Sequence, residues 1–243
     1  MVSRNDLGQK IGADLSSWKT PNWPSASQMV GRFCRLEAIN AVDHSKDLFD
    51  AFQVDEEGRD WAYMSHGPFD SLTEFQDWMK ASRLGDDPLF FAVIDLATGQ
   101  AVGMASYLRI APVQGSIEVG SIHFSNLMKG KPASTEAMYL MMKRAFEQGY
   151  RRYEWKCNAY NEQSCRSAER LGFSYEGTFR NHMIVKGRNR DTAWFATIEG
   201  EWPSIKTAFE AWLSPENFDE SGRQVQCLSD LTKALLVNRR ING

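Results

Sequence analysis

The chain has 243 residues, of which 42% are hydrophobic and 24% charged, as in an ordinary soluble globular protein. Its formal net charge of −3 argues against a general nucleic-acid binder or a protein that binds anionic membranes. Its four cysteines show neither metal-ligand spacing nor a disulfide framework, and neither a signal peptide nor a membrane span is recognisable. We therefore expect a cytoplasmic protein without a bound metal.

The two ends of the chain differ from its middle. Tryptophans and prolines, among them Trp18 and Trp23, stand among polar residues without periodicity in the first 30 residues. Because prolines interrupt regular structure and tryptophans need apolar surface, this arm should lie across the rest of the protein. The sequence therefore divides into an arm over 1–30, a domain over 31–213 and a C-terminal extension over 214–243. The arm also offers a surface for a homodimer.

Hydrophobic periodicity in the middle of the chain predicts alternating strands and helices. Three successive strands with short connections indicate an antiparallel meander, and helices then alternate with further strands up to a final hairpin and helix. This order predicts a single α/β domain with a mixed sheet. The predicted strands cover 32–39, 89–95, 101–110, 117–124, 153–157, 173–185 and 191–198, and the predicted helices cover 45–54, 71 onward, 132–148, 161–171 and 203–213.

The segment Ile122–Met138 joins a predicted strand to a long helix through a loop rich in glycine and lysine. Such a turn exposes backbone N–H groups and the positive end of a helix dipole, where a diphosphate can bind. Lys129 and Lys131 add positive charge there. The P-loop pattern GxxxxGK[ST] is absent. From these residues alone, a diphosphate site and a solvated basic turn both remain open.

The same segment resembles motif A of the GNAT acetyltransferases, whose loop pattern is [QR]xxGx[GA]. The run 135–137, Thr-Glu-Ala, resembles the sequence after this loop in the branch that contains the ribosomal-protein N-terminal acetyltransferases. This alignment places Lys129, Pro132 and Ser134 at the three pattern positions, and all three depart from the pattern. Pro132 has no N–H, so one phosphate contact of the family pattern is in doubt.

A second run resembles the family's NxxS…LGF…EG sequence. Asn161 and Ser164 begin it, Leu-Gly-Phe follows at 171–173, and Glu-Gly at 176–177. The order of the two runs and their separation also agree with the family, and together they cover about 117–177. Two motifs in register identify the chain as similar to the GNAT acetyltransferases more firmly than either motif alone.

The resemblance implies an α/β GNAT fold with a mixed, mostly antiparallel sheet flanked by helices. Its central strands, here 117–124 and 153–158, would splay apart to hold acetyl-CoA. The implied activity is acetyl-CoA-dependent N-acetyl transfer by direct attack of a primary amine, which a small molecule, an amino acid or a peptide N-terminus could supply. The substituted loop leaves an alternative, a catalytically degenerate acyl-CoA-binding module.

The cofactor residues follow from the resemblance. The strand backbone at Ile122 and Phe124 would pair with pantetheine, and Asn161 would either bind the cofactor or cap its helix. The loop residues expected at the phosphates are Lys129, Gly130, Lys131, Ala133, Ser134 and Thr135.

The resemblance also suggests catalytic residues. Ser164 matches a hydroxyl that lies near the sulfur in the ribosomal-protein branch, where it could protonate the leaving thiolate; a small packing residue is the alternative. The tyrosine that many other members use would fall at Ala168. The branch's glutamate falls at Met183, and strand alternation should point the adjacent His182 to the opposite face. Glu118 on the splayed strand is the preferred base, and an ordered water is the alternative.

The acceptor pocket should form between the loop near residue 60 and the final hairpin. Trp61 and Tyr63 are the aromatic candidates in the loop, and Asp191 is the candidate in the hairpin. An aromatic wall would suit an apolar group beside the amine, although core packing is the more common role of such side chains. Asp191 and Glu176 are weaker candidates for the base.

Overall fold

An eight-stranded mixed sheet organises the computed structural model, which describes residues 3–82 and 84–240. The strands are β1 (Ser3–Arg4), β2 (Lys10–Ile11), β3 (Met29–Val30), β4 (Cys34–Ala38), β5 (Leu89–Asp95), β6 (Ala101–Ala111), β7 (Ser116–Phe124), β8 (Arg152–Asn158), β9 (Ser174–Val185) and β10 (Arg188–Ile198). The helices are α1 (Ser45–Gln53), α2 (Leu72–Ser82), α3 (Pro132–Glu147), α4 (Glu162–Arg170), α5 (Trp202–Leu213) and α6 (Leu228–Thr232). The sheet order is β3-β4-β5-β6-β7-β8-β10-β9, while β1 and β2 form a separate pair. Only β7 and β8 run parallel among these sheet neighbours, which confirms the predicted mixed, mostly antiparallel fold.

β7 and β8 pair only over their first halves. The parallel register runs from Ser116 opposite Arg152 to Val119 opposite Trp155 and then stops. Next to this point β7 carries one residue more than β6, and Ser121 adopts a left-handed conformation with φ 47°. Such a bulge bends a strand, so β7 turns away from β8 and the central strands splay as expected.

The two faces of the sheet carry different helices because strand side chains alternate. In β5, Phe91 and Val93 belong to the core that α3, α4 and α5 cover, whereas Phe90 and Ala92 belong to the core beneath α1 and α2. Within the described ranges, no helix is both long and apolar enough to cross a lipid bilayer.

A buried carboxylate fixes the start of the domain. Glu136 on α3 accepts hydrogen bonds from the backbone N–H groups of Arg32, Phe33 and Cys34, at 2.7, 2.7 and 2.9 Å. A Cβ at Gly31 would lie 2.3 Å from the Glu136 carboxyl carbon, so this close approach requires glycine. The glutamate of the Thr-Glu-Ala run thus anchors the strand β4 to the helix that borders the central gap.

The arm lies across the domain, as its composition predicts. The guanidinium of Arg144 donates to the carbonyls of Ser25 and Gln28, at 3.0 and 2.8 Å. Trp18 packs beside Arg151, whose guanidinium lies 5.9 Å from the indole ring. Trp23 is 46% exposed, and a homodimer through this surface stays a prediction.

The C-terminal extension packs against the domain through several contacts. Leu228 in α6 is fully buried in the main core. The Asn238 carbonyl accepts the N–H of Tyr175 at 3.1 Å, and the N–H of Arg240 donates to Glu169 at 2.6 Å. The divisions at 30 and 213 stay predictions, since both ends of the chain pack on the middle part.

Candidate active site

A cleft of about 1090 Å³ opens where β7 and β8 separate. Its walls come from the second half of β7, the end of β8, the loop before α3, the start of α4, the β9–β10 hairpin, the loop after α1 and the extension. The cleft brings together most of the residues that the sequence suggested. These are Tyr63, Glu118, Ile122, Phe124, Lys129, Gly130, Lys131, Ser134, Thr135, Asn161 and Ser164.

Three suggested residues lie away from the cleft wall. Trp61 is only 4% exposed and packs edge-on against Phe52, because an aromatic side chain in this loop gains more from the core than from the surface. The carboxylate of Asp191 accepts the N–H of Asn181 at 2.7 Å, and this residue borders a separate shallow hollow. The side chain of Ala133 lies on the buried face of α3, which leaves only its backbone for a ligand.

Some hydrogen-bond donors at the loop before α3 are already used within the protein. Ser134 donates both its N–H (3.1 Å) and its hydroxyl (2.8 Å) to the carbonyl of Lys131. Pro132 is the first residue of α3 and has no N–H. The backbone donors left for an anion in this described loop are therefore centred on Gly130, which has φ 72°, and Ala133.

The two lysines of the loop differ in their surroundings. Lys129 forms an ion pair with Asp60 from the loop after α1, and its ammonium lies 3.4 Å from the side-chain oxygen of Asn126. Its charge is thus balanced within the protein. Lys131 is exposed at the start of α3 and keeps its charge available for an anion.

Arg170 is a second cation at this end of the cleft, and the sequence argument missed it. Both terminal nitrogens of its guanidinium donate to the Thr135 hydroxyl at 3.1 Å, and its guanidinium lies 5.5 Å from the Trp212 ring. Burial lowers the pKa of Arg170, and within the described residues no carboxylate pairs with it. Its position just before the Leu-Gly-Phe run at 171–173 is the signal that could have identified it.

Asn161 and Ser164 occupy the first turn of α4 with distinct roles. The side-chain oxygen of Asn161 accepts the N–H of Ser164 at 3.0 Å, so Asn161 caps the helix. The indole N–H of Trp155 donates to the Ser164 hydroxyl at 3.1 Å, and that hydroxyl also interacts with the Cys157 thiol. Because an indole nitrogen can only donate, the Ser164 oxygen acts as acceptor there, and its own proton can point either to the Cys157 sulfur or to a ligand in the cleft.

Glu118 is a buried carboxylate between two cations, with 3% of its surface exposed. One nitrogen of Arg109 donates to both of its oxygens at 2.8 and 2.9 Å, and the Lys156 ammonium lies 2.8 Å from Oε2. Burial raises the pKa of Glu118, against the opposing effect of both cations. A carboxylate offers about four acceptor positions, so these three contacts leave room for one further hydrogen bond from the cleft.

His182 lines the cleft together with Met183, which strand alternation did not predict. Asn181 has φ 50°, and the β9–β10 register shifts near Arg190. This irregularity breaks the simple alternation of side chains. The His182 ring lies 3.0 Å from the Thr192 hydroxyl. Thr192 and Arg190 of the same hairpin also line the cleft.

His123 lies at the edge of the cleft between two aromatic rings. Its ring centroid is 4.1 Å from that of Phe52 and 4.0 Å from that of Trp61. Burial lowers the pKa of His123 to about 3, so its imidazole is neutral at physiological pH. His123 is therefore a polar but uncharged residue at this edge of the cleft.

Comparisons with known proteins agree with this architecture. A family model described as an acetyltransferase (GNAT) domain matches residues 35–174. A GCN5-related N-acetyltransferase from Brucella melitensis is 45% identical, with a TM-score of 0.88 over 90% of this chain and 100% of that one. A solved GNAT-family structure from Chromobacterium violaceum is 34% identical, with a TM-score of 0.74 over 79% of this chain and 96% of that one. YdaF of Bacillus subtilis, whose name places it with ribosomal N-acetyltransferases, is 30% identical over 112 residues, which are 46% of this chain and 61% of YdaF.

Proposed function

Because the chain belongs to the GNAT acetyltransferase family, whose members use acetyl-CoA, we propose that it transfers the acetyl group to a primary amine by direct attack. The amine belongs to a small molecule, an amino acid or a peptide N-terminus. The observation that carries this proposal is the gap between β7 and β8, with Glu118 and Ser164 both on its walls. The relative named for ribosomal substrates motivates the peptide option, whereas Met183 in place of that branch's glutamate weakens it.

The residues around the gap fit acetyl-CoA. None of the described strands pairs with the β7 backbone at Ile122 and Phe124 on the β8 side, so this backbone can pair with pantetheine. The N-terminus of α3, with the charges of Lys131 and Arg170, suits a diphosphate. A partly buried guanidinium without a carboxylate is costly, and a phosphate would offset that cost. When bound, acetyl-CoA supplies an acetyl group activated as a thioester.

Two side chains of this chain can handle the protons that amide formation requires. Glu118, with its one remaining acceptor position, takes a proton from the amine directly or through a water. Ser164, whose oxygen is held by the Trp155 indole, relays a proton to the departing sulfur and regains it from a water molecule in the cleft. The two roles are distinct because Glu118 lies on β7 and Ser164 on α4, on either side of the opening.

Two measurements on the wild-type protein test the proposal. Acetyl-CoA should raise the melting temperature, since binding to the folded state alone stabilises it by about 2.7 kcal/mol at a hundred times the dissociation constant. A panel of primary amines should then release free thiol from acetyl-CoA.

Variants separate binding from chemistry. Glu118→Gln should lose thiol release but keep the acetyl-CoA-dependent rise in melting temperature. A rise in melting temperature without turnover of any amine would instead identify a degenerate acyl-CoA-binding module. No rise at millimolar acetyl-CoA in a well-folded sample would refute the cofactor assignment.

A further inference from the structure

Arg190 is a partly buried cation in the cleft, and no acidic side chain among the described residues forms an ion pair with it. Its Nε atom is buried and has no hydrogen-bond partner, and no ion pair to Arg190 occurs in the part of the chain that the structure describes. Burying an unpaired charge is unfavourable, so such a group in a cleft indicates a missing anionic partner.

The other cations on the acceptor side of the cleft are matched. Arg109 and Lys156 both contact Glu118, and Lys156 also lies 2.7 Å from Glu154. Lys129 is paired with Asp60. The charges there cancel within the protein, and Arg190 remains as an uncompensated positive charge.

The β9–β10 hairpin keeps the nearest acidic side chain in sequence away from Arg190. The register of β10 against β9 shifts between Arg190 and Thr192, and the intervening Asp191 turns its carboxylate to Asn181 and Asn189, at 2.7 and 3.0 Å. The nearest acidic side chain in sequence is therefore committed to the hairpin. Thr192 pairs with Asn158, the last residue of β8, so Arg190 extends beyond the end of β8 beside the open gap.

The surroundings of Arg190 place it with the acceptor and not with the cofactor phosphates. Arg190 lies past the end of β8 and lines the same cleft as Glu118 and Arg109, close enough for their charges to interact. Arg170, which lies beside the N-terminus of α3, contacts Thr135 and Trp212 instead. The two guanidiniums thus serve different parts of the cleft.

We propose that the acceptor is a small primary amine that also carries an anionic group, a carboxylate or a phosphate, and that Arg190 binds this group. The inference rests on the proposed acetyl transfer and narrows its substrate class. A guanidinium binds either anion through paired, charge-assisted hydrogen bonds. A free amino acid fits this description, whereas the N-terminus of a peptide has an amide where the carboxylate would be.

Matched acceptor pairs test the inference with the full-length protein and acetyl-CoA. Each pair contains an anionic amine and its neutral counterpart: α-amino acids against their amides, and phosphoethanolamine against ethanolamine. The wild type should show at least a ten-fold higher kcat/KM for the anionic member of the preferred pair. The amino-acid and phosphate arms distinguish the two anions.

Arg190→Met should lower kcat/KM for the anionic acceptor about ten- to a hundred-fold, the usual size of a lost hydrogen bond to a charged group, and change the neutral one little. The KM for acetyl-CoA should stay constant, and the melting temperature should stay the same or rise because an unpaired charge has been removed. Arg188→Met, on the exposed part of the same hairpin, is the matched control and should keep the preference.

The outcomes distinguish a failure of the inference about Arg190 from a failure of the proposed acetyl transfer. Equal turnover of both members of every pair would overturn the inference and leave acetyl transfer intact. An equal loss for both members in Arg190→Met, or a raised KM for acetyl-CoA, would also overturn it, because Arg190 would then serve the fold or the cofactor. If none of the amines releases thiol from acetyl-CoA, the proposed function itself is refuted, and the inference with it.

Discussion

Replacing Ser164 by alanine should damage both turnover and stability, for two separable reasons. The hydroxyl accepts the indole N–H of Trp155, which is only 6% exposed. Removing this acceptor leaves a buried N–H unpaired, so the free energy of unfolding should fall by about 1–3 kcal/mol. The helix cap itself survives, because Asn161 accepts the Ser164 backbone N–H and that group is unchanged.

The effect on turnover comes from the proton of the hydroxyl. If Ser164 protonates the departing sulfur, Ser164→Ala should lower kcat about ten- to a thousand-fold, which corresponds to roughly 1.4–4 kcal/mol of barrier. The loss should appear at saturating acetyl-CoA and amine, where binding no longer limits the rate. Thiol release under these conditions gives kcat, and denaturant unfolding of the same sample gives stability.

Trp155→Phe is the matched control. It removes the indole donor and keeps the hydroxyl, so stability should fall while kcat remains within a few-fold of the wild type. In the double variant the stability losses should be less than additive by about 1 kcal/mol, because both single changes break the same hydrogen bond. The kcat of the double variant should match that of Ser164→Ala.

Two results would refute this reasoning. Wild-type kcat in Ser164→Ala would mean that the hydroxyl only supports Trp155. An equally large fall in kcat for Trp155→Phe would mean that turnover depends on local packing and not on the Ser164 proton. Ser164→Thr, which keeps a hydroxyl, should retain part of the activity if the proton is what matters.

Three further predictions follow from buried charges and rings. Burial holds the pKa of His123 at about 3, against an ordinary 6.5, so the unfolded chain takes up this proton before the folded protein does. The free energy of unfolding should therefore fall by about 1.4 kcal/mol per pH unit as the pH drops from about 6.5 towards 3. His123→Phe should remove this pH dependence, which denaturant unfolding at pH 7 and pH 5 would measure. An unchanged pH slope would contradict the burial of the ring. Glu136→Gln should lower the unfolding free energy by roughly 2–4 kcal/mol, since three backbone N–H groups lose their charged acceptor. Glu147→Gln, at an exposed position of the same helix, should have little effect, and equal melting temperatures for the two variants would exclude the anchoring role of Glu136. Arg170→Met should raise the KM for acetyl-CoA about ten- to a hundred-fold with kcat nearly constant, and an unchanged KM in initial-rate measurements would place the phosphates elsewhere.

The fold was predictable because its signals are local. The strand predicted at 89–95 and the helices predicted on either side of it appear at the same places in the structure. The helix expected at 45–54 is α1 (Ser45–Gln53), and the long helix begins at Pro132 as expected from its ring geometry. The cap at Asn161 was also readable, because asparagine before an amphipathic run is a common start of a helix.

The charges of the cleft were less predictable, since they depend on which side chains meet across the fold. The sequence of the loop predicts Lys129 as a cation available to a phosphate, but the fold brings Asp60 to it from the loop after α1. Trp61 and Tyr63 are two residues apart, yet one is buried and the other lines the cleft. Composition cannot separate these fates, because core and pocket walls both favour aromatic residues. Nothing local indicated that the extension, through Arg223, would reach the cleft either.

Two partly buried guanidiniums, which have no ion pair among the described residues, mark two different places in the cleft. Arg170 lies at the N-terminus of α3, and Arg190 lies beside the end of β8, near Glu118. If acidic residues formed ion pairs with both Arg170 and Arg190, neither position would attract an anionic ligand more strongly than the rest of the cleft. Instead Glu118 cancels the cations around it, and net positive charge remains at two separate points. A molecule with a diphosphate satisfies the first, and an amine with its own anionic group satisfies the second. Each reactant is thus drawn to one end, so the amine and the acetyl group should meet near the buried carboxylate, which has one acceptor position left for the proton.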